Sequence, residues 1–111
     1  MFQVSVKVAN PHVPSKTFEE KFWVNPRDLY TSVPEDRLRD IDITASRGGR
    51  DDRLLIEAVF TIPGYEESLT CPVVLAPPGS PYVLGATALA NFGVEVDPKS
   101  NQLRPIAIVI A

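Results

Sequence analysis

Cysteine is almost absent from this chain: Cys71 stands alone among 111 residues, which excludes an internal disulfide. Histidine is equally scarce. His12 is the single one, set between Pro11 and Pro14 in a polar stretch with no second ligand near it, so neither a metal site nor a Ser-His-Asp site is expected. No apolar run approaches the roughly 18 residues of a membrane-spanning helix, and no charged n-region precedes an apolar h-region. An excess of basic charge is also lacking. The balance of 11 basic against 14 acidic residues gives a net charge of −3, which offers no field for a phosphate backbone and no cationic face for a bilayer. Neither nucleic acid nor a membrane is an expected partner. Glycine-rich phosphate motifs are missing as well, and no cofactor is expected. Together these absences read as a soluble, cytoplasmic protein.

What is present is a core. At 44% hydrophobic and 23% charged, the composition is that of a globular chain, and 111 residues make one domain, 1–111. Eleven prolines scattered among short runs of Val, Ile, Phe and Leu indicate strands separated by turns, because proline removes a ladder donor. The class is mostly β. Phe2, Val4, Val6 and Val8 alternate with Gln3, Ser5 and Lys7 in a half-buried first strand, and a second runs from Phe18 to Val24. Pro34 to Ile41 allows a turn or two of helix. Ile41–Ala45 and Leu54–Ile62 then read as strands of a hairpin with Gly48-Gly49 at its tip. Pro63-Gly64 turns the chain into a strand from Leu69 to Leu75. After Tyr82-Val83-Leu84 and Gly85, a helix is expected over Ala86–Phe92 with Gly93 as its stop. Val94–Val96 and Leu103–Ile110 close the chain as strands around the turn at Asp97-Pro98.

The segment Val74-Leu75-Ala76-Pro77-Pro78-Gly79-Ser80-Pro81-Tyr82-Val83-Leu84-Gly85-Ala86-Thr87-Ala88-Leu89 resembles that of the retropepsin-like aspartic peptidases, the single-domain family that includes the retroviral proteases. The tail Phe92-Gly93-Val94-Glu95-Val96-Asp97-Pro98 followed by Leu103-Arg104-Pro105 is similar to that of their small cellular and bacterial members. The resemblance spans nearly the whole chain. It implies a small closed β-barrel of the acid-protease type with one short helix after Gly85, in which Leu84 and Gly85 are structural, and a homodimer. In the family the active site follows strand two as an apolar residue and then Asp-Thr-Gly-Ala. Here Val24, Thr31, Val33 and Pro34 keep that frame while the triplet is replaced by Asn25, Pro26 and Arg27. The resemblance also sets Gly48 and Gly49 at the flap tip.

The replacement removes the chemistry. An aspartic peptidase joins two carboxylates, one per subunit, that share a proton. A carboxamide at Asn25 does not titrate near the working pH and can act as neither acid nor base. Pro26 lacks the hydroxyl with which the family's threonine ties the active-site loops, and Arg27 puts bulk where glycine lets the loop turn. Asp28, three positions on, is the carboxylate that could substitute only in a rearranged loop, because at the place of the family's alanine it should not meet a symmetry mate across the dimer axis. Taken alone, Asn25 to Asp28 is a turn, and Arg47 to Asp52 a solvated hairpin tip. The adjacent acids Glu19-Glu20, Glu35-Asp36 and Glu66-Glu67 are solvated surface. Cys71 is expected in or beside the core, and Trp23 in the core or at a subunit contact.

Two functions follow from different classes. The first is an inactive peptidase-like domain acting in peptide or protein binding or in dimerisation. The alternative is an active aspartic endopeptidase that hydrolyses peptide bonds as a homodimer through an atypical site using Asp28, or by pairing with a chain that carries Asp-Thr-Gly. A third reading is a β-barrel whose similarity is architectural only.

Overall fold

Val6 and Val8 point into the core while Gln3, Ser5 and Lys7 face solvent, the period-two division that makes β1 (Gln3–Ala9) half-buried. The computed structural model describes residues 1–44 and 55–106. β1 pairs antiparallel with β2 (Thr17–Val24), from Gln3 opposite Trp23 to Ala9 opposite Thr17. The connection is fixed by Asn10, a buried amide whose Oδ1 accepts from the His12 and Val13 N–H groups and whose Nδ2 donates to the Ile41 carbonyl at 2.9 Å. No donor or acceptor of this side chain is left to be solvated, which removes the cost of burying it.

β3 (Thr31–Pro34) leads into α1 (Glu35–Asp40), a short helix with acids in its first turn and Leu38 buried beneath it. β4 (Leu55–Thr61) pairs antiparallel with β5 (Leu69–Ala76), and its far end returns to β1 at Phe60 opposite Val8. β6 (Val83–Leu84) is inserted between β2, to which it is parallel, and β3, to which it is antiparallel. β3 in turn lies parallel to β5. The pairing order β1-β2-β6-β3-β5-β4 therefore closes on itself. α2 (Ala86–Phe92) follows β6, and β7 (Val94–Asp97) with β8 (Gln102–Pro105) forms a separate two-stranded sheet. The fold is mostly β.

Phe22 and Phe60 meet edge to face at the centre, ring centroids 6.1 Å apart, and Tyr82 packs on Phe22 at 5.4 Å. Burying each of the two phenylalanines, both fully enclosed, contributes about 1.5–3 kcal/mol from apolar area alone. Val24, Val33, Val73 and Leu84 complete this cluster from four different strands. No helix among the described residues is long and apolar enough to cross a membrane.

Three expectations need correction. Ile41–Thr44 is not a strand: Ile41 caps α1, Asp42 turns at φ 60°, and Ile43 N–H donates back to the Leu38 carbonyl. Ile41 and Ile43 are both buried, so their apolar spacing serves a turn that folds two side chains inward rather than a ladder. Of the two places expected for Trp23 the core is excluded, since the side chain is 38% exposed on the face opposite Phe22 and Val24, and a subunit contact stays open. The expected strand Leu103–Ile110 stops at Pro105 within the described residues. Ala45, the hairpin tip at Gly48 and Gly49, Leu54, and residues 107–111 lie outside them.

Candidate functional site

Residues 25–30 join β2 to β3, and their placement depends on the segment that the chain inserts between those strands. The Asn25 N–H donates to the Leu84 carbonyl at 3.0 Å, where β2 ends beside β6. From the opposite side, the first residues of α2 take hold of the loop carbonyls. Ala86 N–H donates to Asp28 O at 2.7 Å, Thr87 N–H to Leu29 O at 3.0 Å, and the Thr87 hydroxyl to the same Leu29 carbonyl at 2.6 Å. The orphan N–H groups of a helix start are thus satisfied by the loop itself.

Gly85 lies under the loop at contact distance. A Cβ there would fall 2.5 Å from both the carbonyl carbon and the oxygen of Tyr30, and 2.8 Å from the Asp28 oxygen. All three are backbone atoms, so the approach needs glycine for space and not for its dihedral angles. Its N–H donates to Thr31 Oγ1 at 3.0 Å, in a wholly buried contact. Leu84 is buried beside it. The structure accordingly brings together Asn25, Asp28, Thr31, Leu84 and Gly85 around one loop. Pro26 and Arg27 occupy its exposed turn.

Within the loop, Asn25 is engaged twice. Its Oδ1 accepts from the Arg27 N–H at 3.1 Å and its Nδ2 donates to Asp28 Oδ2 at 3.0 Å. The first is the side-chain mimic of a turn that asparagine characteristically makes. The second sets a neutral amide against a carboxylate at the surface. The carboxamide can act as neither general acid nor general base, and it engages one oxygen of the Asp28 carboxylate.

Beside Asn25 lies a shallow hollow of about 230 Å³ lined by Met1, Trp23, Pro81 and Val83. Its walls are apolar. Sequence reasoning singled out neither Met1 nor the outward face of Trp23, although strict alternation along β2 does set Trp23 opposite to Phe22 and Val24. The roles of Thr87 and Tyr30 were likewise not signalled, since each meets a residue more than fifty positions away in sequence. A larger cleft of about 610 Å³, bordered by Asn10, His12, Asp42, Ile56 and Glu57, shares no lining residue with the hollow. Among the described residues no group of three or more His, Cys, Asp or Glu is placed to hold a metal ion.

Two titratable groups outside the loop are shifted. Burial pushes the Cys71 thiol up, with a contact from Asn91 pulling weakly the other way. The Lys99 backbone N–H, at 2.9 Å, holds Asp97 below the usual carboxylate range, with Ser100 and Arg104 adding to the effect. Asp97 thereby serves the β7–β8 turn, where the Asn101 N–H also donates to its carbonyl. Comparison with models of known protein families finds no match, and comparison with curated proteins finds no matching relative.

Proposed function

We propose that this chain is a retropepsin-like domain, a small closed acid-protease barrel, that has lost peptidase chemistry and acts in peptide or protein binding or as a homodimer. One observation carries the reading: where the resemblance implies a catalytic aspartate, the chain has Asn25, and its carboxamide is tied to Arg27 and Asp28 within the loop. A supporting observation is that the loop is held from Leu84, Gly85, Ala86 and Thr87, the segment on which the resemblance is sharpest. The scaffold around the loop is kept while the groups that would work on it are replaced. The apolar hollow beside Asn25 offers a surface suited to an apolar side chain of a bound peptide or of a second subunit.

The competing reading, a working homodimeric endopeptidase, draws on the Asp28 carboxylate standing 3.0 Å from the Asn25 amide in an exposed loop. Against it, two carboxylates must meet to share one proton. Asp28 is instead bonded to an amide of its own chain.

Trp23 is the sole tryptophan and lines the hollow, so its emission reports on the site. Titration with a mixed peptide library, followed by Trp23 emission and by mass spectrometry of the recovered peptides, is expected to shift the emission and return the peptides intact. If neither peptides nor increasing protein concentration changes Trp23 emission, the binding and dimerisation roles fall. Recovery of cut peptides supports the endopeptidase.

A further inference from the structure

We draw no further inference here: the strongest candidate, the apolar hollow of Met1, Trp23, Pro81 and Val83 beside Asn25, belongs to the site already described, and nothing in the structure shows what covers it.

Discussion

Gly85 and Gly93 stand at the two ends of α2 and are needed for different reasons. Gly85 has an extended backbone that any residue can adopt, but no room for a Cβ against Tyr30 and Asp28. Gly93 has open space around it and a φ of 65°, the left-handed region that penalises a side chain. Gly93→Ala is expected to cost about 1–2 kcal/mol, the usual penalty of that region. Gly85→Ala must move backbone and is expected to cost about 1–3 kcal/mol or more, as overpacking does. Urea denaturation measures both. The two are further separated by Trp23 emission in the folded state, which Gly85→Ala alters through the displaced loop and Gly93→Ala leaves unchanged. Thr31 provides a second test at this scale. Thr31→Val keeps the shape but strands the buried Gly85 N–H, with an expected loss of about 1–3 kcal/mol, whereas Thr31→Ser retains the acceptor and most of that stability. A loss from Thr31→Ser with none from Thr31→Val would show that the methyl group and not the hydroxyl matters.

Among the elements, β5 and the β7–β8 sheet each carry a titratable reporter. Cys71 is buried in β5 between β3 and β4, and its thiol is held protonated by that burial. A thiol reagent is therefore expected to modify the native protein only as fast as β5 opens, and to react at once in denaturant; rapid native labelling would place Cys71 nearer the surface. Asp97 has the opposite shift. Because its folded value lies below its unfolded one, its contribution to stability is present above the usual carboxylate range and disappears as pH falls through the lowered value. Thermal melts from neutral to acid pH should show wild type above Asp97→Asn at neutrality, with the gap closing in acid. Its ion pair with Arg104, like that of Arg104 with Glu95, is at the surface and adds little.

The same scale explains what could be read in advance. α2 was legible to its ends, because a glycine on each side brackets seven residues of good helical spacing. β1 was legible from alternation and from the prolines after it, and β5 from the Pro63-Gly64 turn that precedes it. β3 was not: four residues give too few alternations, and its partners, β5 and β6, are supplied by distant sequence. Ile41 and Ile43 misled for a related reason, since two apolar residues spaced by one can enter the core from a turn as well as from a strand. At the site, Asn25, Asp28, Thr31 and Gly85 were legible as a group only through the family resemblance. Asn25 and Asp28 meet through side chains within one turn, but the bond from the Gly85 N–H to the Thr31 hydroxyl spans more than fifty positions, and nothing in the two residue types announces that they meet.

For the whole molecule, a mostly β fold carries a loop that presents Asn25 rather than a carboxylate at the end of β2, and on the function proposed above that loop performs no acid chemistry. On that proposal a single carboxylate at position 25 is insufficient for cleavage. Asn25→Asp would set two carboxylates against one another in one loop, leave Pro26 and Arg27 in place, and is expected to give no peptide cleavage by mass spectrometry. The most direct test is the unaltered protein itself, incubated over a range of concentrations with a diverse peptide mixture from acid to neutral pH and read by mass spectrometry. No cleavage at any concentration, in a sample shown to be folded by its melting transition, is the predicted result. Cleavage that rises faster than linearly with protein and disappears in Asp28→Asn would contradict the account and make this an active dimeric aspartic peptidase.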